Sequence, residues 1–218
     1  MRTIQSQVFL EDEGDSWFKR NLNSLNQKDF GKSDPIVLAM QQTIHWPPGK
    51  MPNLLEIGCG SGHRLSWIAT KLGYNVYGVE PSSEAVEYAQ KQGLSVEKGT
   101  ADCLPYAKGF FDVVCFGFCL YLCDREDLFR IATEADRVLS ENGWLIIHDF
   151  FALEHTCRPY HHRDGLFSFK MDYSKLFTWN PAYVPVLQKL NQHGVEQYTD
   201  EAEEWVATTV LRKRRLRQ

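Results

Sequence analysis

Residues 54–62 read Leu54-Leu55-Glu56-Ile57-Gly58-Cys59-Gly60-Ser61-Gly62, an apolar strand with one acid that runs straight into three alternate glycines. Downstream, Leu65, Ile68, Ala69 and Leu72 fall at i, i+3, i+4 and i+7, and Gly73 stands where a helix would be capped. A helix therefore follows the glycines. Strand, glycine loop and helix suit a nucleotide cofactor, because glycine lets a ligand approach the main chain and the helix N-terminus offers free N–H groups. A ligand carboxylate fits such a place. The register excludes two common versions of the loop. After Gly58 and Gly60 the dinucleotide fingerprint needs a glycine at 63, where this chain has His63. A phosphate-gripping loop would end in Lys-Ser or Lys-Thr, and no such pair stands near these glycines. Glycine clusters also make plain surface turns, so the neighbouring strands must decide.

The next strand, Asn75 to Val79, ends in Glu80-Pro81-Ser82, which puts an acid at a strand tip beside the glycine loop. A carboxylate there can accept both hydroxyl hydrogens of a ribose. A third strand near Leu94 to Lys98 leads to Gly99-Thr100-Ala101-Asp102-Cys103-Leu104-Pro105, so Asp102 stands at another strand exit on the same rim. Taken singly, each acid is an ordinary solvated loop residue or helix cap. Matched features at three successive strand ends point instead to one ligand.

At these residues the chain resembles the class I, Rossmann-like S-adenosylmethionine-dependent methyltransferases, over roughly residues 50 to 150. The resemblance assigns Glu56 and the Gly58, Cys59, Gly60, Gly62 loop to the methionine end of S-adenosylmethionine. It assigns Glu80 with Pro81 to the ribose hydroxyls, and Asp102, Cys103 and Leu104 to the adenine. Phe111-Asp112-Val113-Val114-Cys115-Phe116-Gly117 is similar to the family's fourth strand, with Phe116 and Gly117 at its cofactor end. The run Arg137 to Ile147 is similar to the helix, turn and fifth strand, although the turn reads Asn142-Gly143 where many relatives have two glycines. The resemblance implies an enzyme, a transferase. A narrower likeness, carried by Glu13-Gly14-Asp15 and the run Phe116 to Asp124, is to bacterial methyltransferases of surface-polysaccharide pathways.

Alternation of strand and helix implies an α/β fold, a seven-stranded, mostly parallel sheet with an antiparallel last strand and helices on both faces. Met40 to Ile44 ends a helix ahead of the first strand, and Glu84 to Gln92 forms one after the second. After Asp124, read as an N-cap, Leu128, Ile131, Ala132, Ala135, Val138 and Leu139 trace one helix face. Trp205 to Leu211 suits the last strand, paired with one near Ala182 to Leu187 whose edges Pro181 and Pro185 constrain. With 218 residues, 43% of them hydrophobic, a single domain with a full core is expected. It divides into an N-terminal helical cap (1–50), a cofactor-binding core (51–150), an aromatic lid (151–183) and C-terminal strands with a basic tail (184–218). No apolar run approaches the ~20 residues of a membrane span, and Met1 to Gln7 lack the apolar core of a secretory signal, so a cytoplasmic protein is expected.

Six cysteines require a separate reading. Cys115, Cys119 and Cys123 repeat every fourth residue, whereas the cysteine trio of radical enzymes that use the same cofactor resembles C-x3-C-x2-C. Cys59, Cys103 and Cys157 form no paired spacing, and reduced thiols are expected throughout. His155, His161 and His162 lack the helical i, i+4 pair or neighbouring cysteines of a zinc site, and no metal is expected.

Two segments outside the core are read as shaping the acceptor pocket. In Glu11 to Asn21 an acidic lead precedes Trp17 and Phe18, and Trp17, Arg20 and Asn21 stand to reach the cofactor carboxylate or the substrate; the alternative is a surface helix packed on the sheet. Asp149 to Tyr183 is rich in aromatics and histidines and is read as a lid over a small-molecule or sugar-linked acceptor; the alternative is a homodimer interface or a satellite core. Methyl transfer needs alignment above all, and a general base only for some acceptors. Tyr121, His148 and Asp149, with His161 or His162 of the lid, are the candidate catalytic residues, none marked by a motif. Arg212-Lys213-Arg214-Arg215-Leu216-Arg217 could grip phosphates, but the net charge of −4 leaves no broad nucleic-acid footprint. RNA methylation and a cofactor-binding regulator without turnover remain the alternatives.

Overall fold

The computed structural model describes residues 5–26 and 29–215. Of the stretches read above, Met1 to Ile4 and Leu216 to Gln218 lie outside the described residues. In chain order the elements are α1 (Gln5–Val8), a π-helical turn (Phe9–Glu13), α2 (Gly14–Asn26), α3 (Phe30–Ser33), α4 (Pro35–Thr43), β1 (Asn53–Ile57), α5 (His63–Leu72), β2 (Asn75–Glu80), α6 (Ser83–Lys91), β3 (Ser95–Lys98), β4 (Phe111–Gly117), α7 (Leu128–Val138), β5 (Leu139–Phe150), β6 (Thr156–Pro159), β7 (Phe167–Lys170), α8 (Lys175–Thr178), β8 (Tyr183–Gln192) and β9 (Trp205–Lys213). Seven strands make one sheet in the order β3-β2-β1-β4-β5-β9-β8. The pairs among β1 to β5 are parallel, and β9 runs antiparallel to both β5 and β8. This is the expected mostly parallel α/β sheet. Its order reverses between β1 and β4, the switch point where such sheets open a crevice.

Successive strand residues point to opposite faces, and both faces here are apolar. Leu55, Ile57, Val114 and Phe116 join Ile131, Ala135 and Val138 of α7 on one side. Leu54, Val113, Cys115 and Ile146 meet Ile36 and Met40 of α4 and Leu65 and Ile68 of α5 on the other. Helix ends follow local chemistry. The Ser82 hydroxyl accepts from Ala85 N at 3.0 Å, Asp34 Oδ1 accepts from Ile36 N and Val37 N, and Gly73, at φ +73°, closes α5.

Asp124 does not cap α7. A short 3₁₀ turn, Arg125–Asp127, intervenes and the helix starts at Leu128. The Asp124 carboxylate accepts instead from Gln5 N at 3.1 Å and Ser6 N at 3.0 Å, which anchors the start of α1. The aromatic segment after β5 is also more regular than its sequence suggests, since β6 and β7 form an antiparallel hairpin. Gln5 fastens this hairpin to the N-terminal segment, because its side chain donates to Phe167 O and accepts from Phe167 N. Arg163 and Asp12 form a second tie at 2.7 Å. Among the described residues no helix is long and apolar enough to cross a membrane.

Candidate active site

A cleft opens at the carboxyl ends of β1 to β4. Gly58, the first residue of the glycine loop, stands in its lining. Gly58, Gly60 and Gly62 have φ of +74°, +52° and +74°, a left-handed backbone that side chains strain. A Cβ on Gly58 would come 2.7 Å from the Cys119 Cβ, and one on Gly117 would land on the Glu56 carboxylate. Main chain therefore faces the cleft where the methionine end is expected.

Glu80 is buried at the tip of β2 and lines the cleft. Its Oε2 accepts from Gly60 N at 2.9 Å and its Oε1 from Ser82 N at 3.0 Å. Burial pushes its carboxyl up to about 7 against the lowering effect of those two N–H donors. Each oxygen keeps a further lone pair for an incoming hydroxyl. Pro81, Asp102 and Gly117 also line the cleft, and Asp102 makes a long 3.5 Å contact with Arg130.

Other residues assigned to the cofactor from sequence lie elsewhere. Glu56 sits beneath the loop, where it is ion-paired with Arg64, whose Nε donates to Asp34 Oδ1 at 3.0 Å. Burial opposes the Arg64 charge, but Asp34 and Glu56 outweigh it and raise its pKa. One guanidinium thus ties α4, β1 and α5 together under the glycines. Cys59 packs inward beneath Gly78, Gly60 serves through its N–H to Glu80, and Gly62 packs on Leu94 and Ala89. Phe116 and Leu104 belong to the core, and Cys103 is exposed away from the cleft.

The roof comes from the N-terminal segment. Ser6, Phe9, Gly14 and Trp17 line the cleft, and Asp15 Oδ1 accepts from Ser82 Oγ at 2.6 Å and Glu84 N at 3.0 Å. Burial opposes ionisation of Asp15, yet these two donors hold its pKa below the usual range. Arg20 and Asn21 do not line the cleft. Arg20 bonds buried Glu13 at 2.5 Å and the Tyr160 hydroxyl at 3.1 Å, and Asn21 donates to Trp17 O.

The catalytic candidates separate in the same way. Asp149 is buried outside the cleft lining; its carboxylate accepts from Leu120 N at 2.7 Å and Phe150 N at 2.8 Å, and burial pushes it up to about 7. It braces the loop after β4. Burial raises the Tyr121 pKa and a Trp17 hydrogen bond opposes the rise. The His148 Nδ1 lies 2.9 Å from Thr208 Oγ1. His161 and His162 are exposed on the hairpin tip. Among the described residues no group of three or more His, Cys, Asp or Glu could hold a metal ion.

Two features of this rim were not anticipated. Phe118 lines the cleft in a left-handed conformation, φ +66°, and non-glycine residues held there cluster at functional sites. His193, which follows β8, stacks on Phe118 at 5.6 Å between centroids. It reaches the rim because β8 is antiparallel to β9, which is antiparallel to β5.

A glycine loop after the first strand, acids at the next two strand exits and this strand order define a Rossmann-like domain of the class I methyltransferase type. Residues 55–147 match the family model described as a methyltransferase domain. Ajmaline N-methyltransferase of Rauvolfia serpentina is 32% identical over 131 residues, covering 54% of this chain and 44% of its own. The chain spans less than half the length of the curated relatives it matches. Among solved structures, the Burkholderia thailandensis 1,6-didemethyltoxoflavin-N1-methyltransferase, which holds 1,6-didemethyltoxoflavin and S-adenosylhomocysteine, superposes with TM-score 0.71 at 15% identity, covering 96% of this chain and 89% of that one. A putative methyltransferase of Haloferax volcanii, in complex with the Trm112 methyltransferase activator, gives TM-score 0.71 at 17% identity, covering 96% and 99%. These likenesses establish the fold.

Proposed function

We propose that this protein is an S-adenosylmethionine-dependent methyltransferase acting on a small-molecule acceptor. The observation that carries the reading is Glu80, a cleft-lining carboxylate whose oxygens are fixed by Gly60 N and Ser82 N and still have acceptor capacity for a ribose diol. The rest of the cleft fits the same group. Gly58 and Gly117 leave main chain bare where an amino-acid end would lie, and Asp102 stands one strand further on for an adenine amino group. When bound, S-adenosylmethionine supplies a methyl group activated on a sulfonium. The chain's own part is to hold and align: Glu80 accepts from hydroxyls, Trp17 and Phe9 cover the cleft and exclude water, and Phe118 faces the incoming acceptor. Two of the relatives described above carry N-methyltransferase or N1-methyltransferase in their names, which favours nitrogen as the acceptor atom.

RNA draws less support. Of the basic end, Arg212 lies over the Trp144 ring at 4.3 Å, Lys213 pairs with Asp136 at 2.9 Å and Arg215 with Glu141 at 3.4 Å, so these cations are used on the protein's own surface. The test is calorimetry with S-adenosylhomocysteine on the wild type, Glu80→Ala and Asp102→Ala, followed by transfer of a labelled methyl group to a small-molecule extract. Undiminished binding in both variants would refute the site. Binding without transfer to any acceptor would favour the non-catalytic alternative.

A further inference from the structure

The rim where β4, β5 and β8 end carries a group of rings that the cofactor reading does not use. Phe118, half-buried at the cleft wall, has Phe150 at 4.9 Å, His148 at 5.3 Å and Tyr121 at 5.4 Å between centroids, and His193 stacked on it at an interplanar angle of 20°. The His193 ring also meets Phe150 at 5.0 Å. Of these rings Phe118 lines the cleft, with Phe150, His148, Tyr121 and His193 packed around it, and an aromatic ring at the cleft wall receives another flat ring by stacking or edge contact.

Charge narrows the class of ligand. Among the described residues no lysine, arginine or histidine lines the cleft itself. The cations beside the rings are already engaged: Lys170 lies 4.6 Å from the Phe150 centroid with its Nζ donating to Glu203 O, and Arg158 is paired with the Glu203 carboxylate. The Asp149 carboxylate is held by backbone N–H groups. Lys170, held by a backbone carbonyl and the Phe150 face, and Asp149, held by backbone N–H groups, are thus fixed by neutral partners, and what the rings themselves offer a ligand is stacking rather than an ion pair. His193 differs from the other polar groups here, because among the described residues neither of its ring nitrogens makes a hydrogen bond. Its pKa is lowered by burial, with Glu204 raising and Lys170 lowering it in turn, so the imidazole is neutral at pH 7 and can accept a proton.

Resting on the methyltransferase reading above, we propose that Phe118 and Phe150 form the acceptor subsite, that it takes an uncharged, flat aromatic or heteroaromatic ring bearing an N–H or O–H, and that His193 receives the proton that group gives up. In the step, the acceptor's lone pair forms the bond to the methyl carbon. The sulfur–carbon bond breaks with its pair remaining on sulfur, which becomes a neutral thioether, and the acceptor's proton passes to the His193 imidazole and then to water. The charged groups that face His193 are Lys170 from β7 and Glu204 ahead of β9, of opposite sign, and His148 from β5 shares the Phe118 ring. Asp149, beside Phe150 and itself pushed up to about 7, is left in place by His193→Gln, so only a limb that this substitution removes belongs to His193.

The test uses the full chain with labelled histidines, saturated with S-adenosylhomocysteine, and 6-hydroxyquinoline as probe, with methyl glucoside as the sugar comparison. The His193 ring signals are expected to move on adding 6-hydroxyquinoline and to stay still with methyl glucoside. Phe118→Leu should weaken probe binding about tenfold, as should Phe150→Leu. Where the probe is methylated, His193→Gln should remove the limb of the kcat profile that the wild type shows near the histidine pKa. Binding of S-adenosylhomocysteine with no response at His193, equal probe affinity in Phe118→Leu, or a His193 response to methyl glucoside alone would each overturn the subsite while leaving the cofactor reading intact. Failure of the wild type to bind S-adenosylhomocysteine would overturn both.

Discussion

Glu80 makes the affinity for S-adenosylhomocysteine depend on pH in a way that its surroundings allow to be worked out. Burial places its carboxyl at about 7 in the free protein, despite the two backbone donors. A ribose diol donates two hydrogens and is best received by the ionised form, so binding should hold Glu80 charged. With a free-state value near 7, the ionised fraction falls from about nine-tenths at pH 8 to about one-tenth at pH 6, and Kd should rise about tenfold over that span. Near pH 7, binding should release about half a proton. The folded protein alone shows the complementary effect. An acid whose pKa is raised on folding adds stability below its unfolded value, ordinarily about 4.3, and loses it as pH climbs to the folded one. Asp149 is shifted the same way and by the same cause, so unfolding curves cannot separate the two acids. Calorimetry can, in two buffers of different ionisation enthalpy at pH 6, 7 and 8, on the wild type and Glu80→Gln. The variant should bind more weakly and lose both the slope and the proton release. A flat wild-type Kd between pH 6 and 8, or the same slope in Glu80→Gln, would refute the assignment of Glu80 to the ribose.

Gly58→Ala places a Cβ 2.7 Å from the Cys119 Cβ at φ +74°, adding roughly 1–2 kcal/mol of left-handed strain to the clash; S-adenosylhomocysteine affinity should fall by more than about tenfold, and a change under twofold in calorimetry counts against main-chain contact there. Arg64→Met removes the cation between buried Asp34 and Glu56 and should cost about 3–5 kcal/mol in urea unfolding; a loss below ~1 kcal/mol would show that the pair is not the tie described. Asp15→Asn weakens the double acceptor that holds α2 to Ser82 and Glu84. It should speed amide exchange across 5–20 and weaken S-adenosylhomocysteine binding roughly three- to tenfold, and unchanged exchange would detach the roof from that contact.

The parts of the site that could be read from sequence are those in which local pattern and position coincide. Gly58, Glu80 and Asp102 stand at or just beyond the end of a strand, and parallel strands joined by helices deliver their ends to one rim whatever the details of packing. Arg64 was missed for the opposite reason. It stands in the first turn of α5, where a cation opposes the helix dipole, and its partner Asp34 comes from thirty residues earlier through the packing of α4. Asp124 shows how a correct local rule can be outcompeted: an acid ahead of a helical face reads as its cap, but the fold brings the free N–H groups of Gln5 and Ser6 to it first.

His193 required the whole topology. A histidine in a polar hairpin carries no signal, and only the two antiparallel steps from β5 through β9 to β8 turn the end of β8 back towards the rim. The same steps explain why the cofactor half was readable and the acceptor half was not. The proposed cofactor contacts come from consecutive strand exits along the parallel run, whereas the rings around Phe118 are gathered from β4, β5 and the chain beyond β8, more than seventy residues apart. On the proposal above, a change of acceptor needs changes at Phe118 after β4, at β5 and at the β8 to β9 connection, where Phe150 and His193 stand, with Gly58, Glu80 and Asp102 left as they are. Exchanging residues 193–204 should alter which ring probe binds, without abolishing the Glu80-dependent pH slope for S-adenosylhomocysteine. Loss of that slope on the exchange would mean that the donor and acceptor halves of the rim are coupled and do not vary independently.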